Sequence, residues 1–280
     1  MTHQRQLVLS NDIINLIEEY QWLNLHSDAF TIKQIDPEKV NDNFKLDDGT
    51  HRLLLKFFNM NTRLLISRRD IFLFQQQLHD IGLAPRPLFL SEDSSVYIEQ
   101  WLDTLPTGDA QTHKLLGINQ QHISLLADAL YNIHNAFITA PNLSLADHWH
   151  VYRQQVSNGN TTLIKRYNEL QPQLVEYVAV NKVDFVMCHN DLHLDHICPQ
   201  TGKVIDWEYA SIGCRYIDIS NCILINQLSS AQAIALCNEY ATIANQNADE
   251  LLQRVQNVAK FSELTFALWA DSVGFEINKQ

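Results

Sequence analysis

Two aspartates, Asp191 and Asp206, stand fifteen positions apart, each just after a short apolar run. Between them, Ile197-Cys198-Pro199-Gln200-Thr201-Gly202-Lys203-Val204-Ile205 has the pattern strand, tight turn, strand, because Pro and Gly supply the turn dihedrals. A hairpin of that length returns the chain to its start and brings both carboxylates to one mouth. Such a pair suits phosphoryl transfer. One carboxylate orients a nucleophilic hydroxyl and accepts its proton, while the other holds magnesium on nucleotide phosphates. A turn-capping aspartate is the alternative reading of either residue alone.

The elements that must position this pair divide into two kinds of sequence. Residues Asn11–Leu25 carry Ile13, Ile14, Leu16, Ile17 and Tyr20 at near-helical spacing. Strands are expected at Phe30–Ile35, Asn43–Leu46 and His51–Phe58, with Asp47-Asp48-Gly49-Thr50 as a hairpin turn. A helix over Ile66–Asp80 is closed by Gly82 and Pro85, and strands follow near Pro87–Leu90 and Val96–Trp101. From Pro106 onward the pattern is helical, with apolar stripes at Leu125–Ile133, Leu163–Val178, Ile217–Leu228, Ala231–Ala244 and Asp249–Phe275. The expected fold class is α+β, with a small antiparallel-sheet lobe over residues 1–102 and a larger, mainly helical lobe over 103–280.

The 280 residues hold 46% hydrophobic and 19% charged side chains, enough apolar material for a core and no sign of bulk disorder. No apolar run approaches the ~20 residues that span a bilayer, and Met1–Gln6 lacks a signal-peptide pattern, so no membrane partner and a cytoplasmic location are expected. The balance of 20 Lys+Arg against 32 Asp+Glu, a formal charge of −12, opposes nucleic-acid binding and is compatible with a cationic substrate. Five cysteines without Cys-x-x-Cys spacing argue against structural zinc and a disulfide framework.

The segment Cys188-His189-Asn190-Asp191-Leu192-His193-Leu194-Asp195-His196-Ile197, then Val204-Ile205-Asp206-Trp207-Glu208-Tyr209-Ala210, then Asp218-Ile219-Ser220-Asn221, resembles the aminoglycoside phosphotransferase and choline kinase group of protein-kinase-like enzymes. That group carries His-x-Asp-x-x-x-x-Asn followed by Ile-Asp-aromatic-Glu, and the second and third segments lean toward its choline, ethanolamine and thiamine kinase branch. The resemblance implies a bilobal protein-kinase-like fold, with ATP and Mg2+ as cofactors. It implies Asp191 as catalytic base, His189 as a structural brace, Asp206 as metal ligand and Asp218 as an acceptor for catalytic-loop N–H groups. For the nucleotide it implies Lys56 at the α/β-phosphates, Asn41 in the phosphate-covering turn, and Glu99–Leu102, with Glu99 and Trp101, at the adenine edge. A water-facing strand-edge lysine is the alternative for Lys56.

Three departures from the family pattern stand out. His196 occupies the position of the second metal ligand, normally asparagine. Either it contacts metal or phosphate, or Asp195 substitutes, or metal binding is weakened. Pro37–Phe44 keeps Asn41 and Phe44 but lacks the two glycines of the family's phosphate-covering turn, leaving Lys39 as a compensating contact. The glutamate that pairs with the strand lysine is replaced near Ile71, with Asp70 the closest carboxylate.

The acceptor side is assigned to Glu208 and to the aromatic residues Trp207, Tyr209, Tyr216 and Trp269, whose faces attract quaternary ammonium or thiazolium cations by roughly 0.5–2 kcal/mol each. Ordinary core aromatics are the alternative. The expected activity is ATP-dependent phosphorylation of a hydroxyl on a choline-, ethanolamine- or thiamine-like acceptor. A weakly active or inactive kinase-like binding protein and an aminoglycoside-type phosphotransferase are the other readings.

Overall fold

Phe44 and Leu46 alternate with polar residues on one strand, as do Leu53 and Leu55 on the next, and these four side chains are buried together with Val96 and Ile98. That period of two builds a five-stranded antiparallel sheet of β1 (Thr31–Ile35), β2 (Asp42–Asp47), β3 (Arg52–Phe57), β4 (Pro87–Leu90) and β5 (Val96–Gln100), in the order β1-β2-β3-β5-β4. In the β2–β3 turn, Gly49 takes φ +84°, and the Asp47 carboxylate accepts its N–H at 2.9 Å. The computed structural model describes residues 31–35, 41–58, 65–104, 117–139, 143–157 and 159–274. The helix expected at Asn11–Leu25 and the turn residues Pro37–Val40, Lys39 among them, lie outside these.

The chain divides into two compact units, Met1–Arg63 with Pro85–Leu102, and Leu64–Ala84 with Asp103–Gln280. Helix α1 (Arg68–Asp80) therefore belongs to the second unit, where Phe74 meets Trp207 edge to face at 6.4 Å. Ser67 caps its start. At its end Leu83 N–H reaches the Leu78 carbonyl and Gly82 N–H the His79 carbonyl, a Schellman motif made possible by φ +84° at Gly82.

Among the described residues the second unit continues with α2 (Gln120–His134), α3 (Leu145–Gln155), α4 (Thr161–Val180), β6 (Phe185–Cys188), β7 (Ser211–Cys214), α5 (Arg215–Ile225), α6 (Ser230–Ile243) and α7 (Ala248–Val273). β6 and β7 pair antiparallel, with Cys188 opposite Ser211. The apolar stripe Ile123, Leu126, Leu130 and Ile133 of α2 joins Leu236 and Tyr240 of α6 and Val258, Phe261 and Leu264 of α7 in one core. All five cysteines are buried and free. None of the described helices is long and apolar enough to cross a membrane. The mixed α+β class expected from the sequence, an antiparallel sheet in one part of the chain and mainly helices in the other, is what the structure has.

Candidate active site

The loop after β6 is held by a buried carboxylate. Asp218, in the first turn of α5 and fully buried, accepts the N–H of His189 at 3.0 Å and of Asn190 at 2.7 Å. Burial alone would raise its pKa, but the hydrogen bond from His134 and the neighbouring histidines and loop amides hold it below the usual carboxylate range. Asn190 takes φ +65°, a conformation few residues adopt. It is fixed there by its side-chain amide, which donates to the Tyr209 carbonyl at 2.9 Å and the Ser211 hydroxyl at 3.1 Å.

His189 braces the same loop. Its Nε2 faces the Ile205 carbonyl at 3.1 Å, so Nε2 carries the proton, and Nδ1 accepts the Asp191 N–H at 3.3 Å. Burial, reinforced by His196, lowers its pKa to about 4. A neutral ring bonded to backbone on both nitrogens is a spacer, not an acid or base. A residue that sequence reasoning missed completes the frame. Asn226, at the end of α5, accepts the Leu194 N–H at 2.8 Å and donates to the Leu192 carbonyl at 2.8 Å.

The hairpin expected between the two aspartates is pared down to one bridge, Ile197 with Val204. Cys198 N–H bonds the Lys203 carbonyl and Gly202 N–H bonds the Cys198 carbonyl, both at 2.8 Å, with Gly202 at φ +71°. The turn spends the intervening residues on its own closure, leaving no length for strands. It still returns the chain. Ile205 N–H meets the His196 carbonyl at 3.0 Å, and Val204 N–H meets the Leu83 carbonyl at 2.8 Å, tying this segment to the end of α1.

Donor atoms of Asp191, His196 and Asp206 consequently lie within 4.8 Å of one another. His196, on the 3-10 turn Leu194–His196, faces the Asp191 carbonyl through Nδ1 at 3.1 Å and Asp206 Oδ2 through Nε2 at 3.9 Å. Asp206 sits at φ +67°, so both key loops contain a left-handed non-glycine residue, a strain that persists where the surrounding bonds over-determine the backbone. Two carboxylates and an imidazole nitrogen are a donor set that fits a divalent cation. Asp195 stays out of this group, with Oδ1 3.9 Å from His193 Nδ1.

The aromatic surroundings depart from expectation. Trp207 is 1% exposed, donates Nε1–H to the Val204 carbonyl at 2.8 Å and packs on His189 at 4.7 Å, so it belongs to the core and presents no face to an acceptor. Tyr216 is likewise buried, with its hydroxyl on Asp184. Tyr209 is half-buried and hydrogen-bonded to Trp269, and burial together with Glu208, Tyr152 and Asp191 raises its phenol pKa. Trp269 lies 5.8 Å from the Phe266 ring.

Helix α3, which sequence reasoning did not find, adds two members. Burial and the charges of Asp191 and Glu208 raise the Tyr152 pKa, and His148, 6.3 Å from Tyr209, is lowered by burial to about 4. Glu208 also lies in the field of Arg68, the first residue of α1, and opposes the lowering of that guanidinium's pKa by burial. Tyr152, Tyr209, Glu208 and Asp191 thus share one electrostatic neighbourhood.

The proposed nucleotide residues belong to the first unit. Lys56 pairs in register with Asn43 and Tyr97 on β3, its ammonium 5.9 Å from the Phe58 ring. Asn41 immediately precedes β2. The Glu99 carboxylate is buried and accepts from the Tyr97 hydroxyl at 2.8 Å. Gln100 and Trp101 N–H groups already bond the Arg86 and Arg52 carbonyls, both at 2.9 Å, and Lys45 lies over the Trp101 ring at 5.1 Å. Asp70, the carboxylate nearest the position of the family's paired glutamate, instead closes its own helix start, accepting the Ser67 hydroxyl at 2.6 Å.

The family model described as "Phosphotransferase enzyme family" matches residues 31–252. No curated protein matches the sequence. Among solved structures, choline kinase LicA from Streptococcus pneumoniae is similar at a TM-score of 0.70 and 17% identity, covering 94% of this chain and 92% of that one. A Plasmodium vivax ethanolamine kinase is similar at 0.70 and 16%, covering 99% and 85%. The macrolide 2'-phosphotransferase MphH from Brachybacterium faecium follows at 0.60 and 14%, covering 94% and 93%. With its matched span covering most of the chain, the protein belongs to the phosphotransferase enzyme family.

Proposed function

We propose that this phosphotransferase carries the γ-phosphate of ATP, with a divalent cation, to the hydroxyl of a small choline-, ethanolamine- or thiamine-like acceptor. The observation that carries the reading is the convergence of Asp191, His196 and Asp206 on loops braced by Asp218, His189 and Asn226. Asp191 orients the acceptor hydroxyl and takes its proton late, as a loose transition state permits. Asp206 and His196 hold the cation, which when bound neutralises phosphate charge. Lys56, Asn41 and the segment Glu99–Trp101 are assigned to the nucleotide. Because the Gln100 and Trp101 amides are engaged within the sheet and Glu99 stands opposite Leu54 in the β3–β5 ladder, adenine contacts fall to backbone groups beyond Trp101.

For the acceptor, Glu208, Tyr209, Tyr152 and Trp269 supply a carboxylate beside aromatic faces, a combination that favours a cationic alcohol. The excess of acidic residues and the choline and ethanolamine kinases among the similar structures support that class. A phosphorylation screen with ATP against choline, ethanolamine, thiamine and aminoglycosides tests it. Transfer confined to aminoglycosides would replace the acceptor class. A protein that binds ATP with metal yet transfers to none would leave the reading of a kinase-like binding protein, which the engagement of Asp70 in its own helix cap favours.

A further inference from the structure

We propose that His196 makes the cation site selective for a borderline first-row divalent ion, with Mn2+ as its simplest representative, over Mg2+. The inference rests on the phosphotransfer reading, in that the cation is the one that accompanies the nucleotide.

The argument begins with the tautomer. His196 Nδ1 lies 3.1 Å from the Asp191 carbonyl oxygen, which can only accept, so Nδ1 carries the proton. In the neutral ring the lone pair is then on Nε2, and Nε2 faces Asp206 Oδ2 at 3.9 Å. One donor atom from each of Asp191, His196 and Asp206 lies within 4.8 Å of the others, a spacing that a single divalent ion can bridge. Because the Asp191 backbone fixes the ring through its other nitrogen, the imidazole is oriented as a ligand in the manner of established metal-binding histidines. The His196 backbone is pinned as well, its carbonyl accepting the Ile205 N–H at 3.0 Å, one residue before Asp206.

Ligand chemistry then decides the ion. Mg2+ demands oxygen ligands in near-ideal octahedral geometry, whereas imidazole raises affinity along the first-row series from Mn2+ upward. Replacing an amide oxygen by an imidazole nitrogen shifts the balance away from Mg2+ without changing the number of ligands. The half-buried setting, with the His196 side chain 12% and Asp206 33% exposed, leaves one side for phosphate and water.

The test measures metal binding directly. Mn2+ is titrated into the full-length protein with ADP and followed by electron paramagnetic resonance, with Mg2+ affinity obtained by competition, and electron spin-echo modulation reads directly coordinated nitrogen. Expected are 14N modulation of imidazole type, Mn2+ bound tighter than Mg2+, and a loss of at least about tenfold in Mn2+ affinity in His196→Asn, since even disturbing a metal ligand's supporting contact costs that much. His196→Asn removes the modulation and collapses the preference, while His193→Asn, which leaves the His196 imidazole in place, preserves the modulation. The echo signal of the unaltered protein decides the matter even if His196→Asn fails to fold. Mn2+ bound with ADP but without imidazole modulation, or a Mn2+/Mg2+ ratio unchanged in folded His196→Asn, overturns the inference alone. Absence of ADP-dependent binding of either ion overturns the phosphotransfer reading with it.

Discussion

His134 Nε2 lies 3.0 Å from Asp218 Oδ2, with neither side chain reaching solvent. The Tyr240 hydroxyl lies 2.7 Å from the other ring nitrogen, so α2, α5 and α6 converge on the carboxylate that holds the His189 and Asn190 amides. A side chain remote from Asp191 thereby sets the geometry of the loop that carries it.

Replacing His134 by Phe keeps a planar ring but removes a donor from a buried carboxylate. A stability loss of about 1–3 kcal/mol is expected in denaturant titration, with turnover falling more than nucleotide affinity. His134→Gln, which keeps a donor, recovers part of both. Equal turnover in the folded Phe variant would show that the loop does not need this support.

Asp191→Asn keeps the loop framework, because the Asp191 backbone supplies the contacts to His189 and His196. Turnover is expected to fall at least roughly 10²-fold, the lower range for general-base removal, while calorimetry detects nucleotide binding little changed.

Trp207 and Tyr209 stand two residues apart and are expected to respond in opposite ways. Trp207→Ala opens a core cavity and costs about 3–5 kcal/mol, whereas the milder Trp207→Phe leaves the acceptor KM unchanged. Tyr209→Ala raises the acceptor KM. A raised KM in the folded Trp207→Phe variant would return that indole to the acceptor site.

His148 gives a pH signature. Its pKa, lowered by burial to about 4, lies below the 6.5 of an unperturbed imidazole, so the unfolded chain binds the proton first. The stability linked to the neutral ring is complete above pH ~6.5 and is lost as pH falls through ~4, amounting to roughly 3 kcal/mol. His148→Phe is expected to flatten that limb in acid denaturation, leaving the part due to His189, which is lowered to about 4 by burial and His196. An unchanged limb would mean that His148 is charged in the folded protein.

What the sequence made legible follows from where local pattern carries information. Alternation at Phe44, Leu46, Leu53 and Leu55 locates strands because one sheet face is buried. The order of Asp191, Asp206 and Asp218 points to one cluster of side chains because the short loops between them leave those residues little freedom. Helix α3 escaped notice because Trp149 is its only fully buried residue, too little for an apolar stripe. Trp207 was placed at the acceptor because an aromatic after a site aspartate looks the same whether it points inward or outward. His134 and Asn226 carry no local signal, since their partners lie 84 and 34 positions away. The two-stranded hairpin became a single bridge because the Cys198–Lys203 turn consumes the residues that strands would have used.

The most direct measurement follows the phosphate itself. 31P NMR of full-length protein with ATP, Mn2+ or Mg2+ and each of choline, ethanolamine and thiamine records ADP and a phosphomonoester together. At least one acceptor is expected to give a phosphomonoester resonance growing in step with ADP, and Asp191→Asn to suppress both at least roughly 10²-fold. ADP appearing with inorganic phosphate alone, or phosphomonoester formed equally well by Asp191→Asn, would contradict transfer through this site.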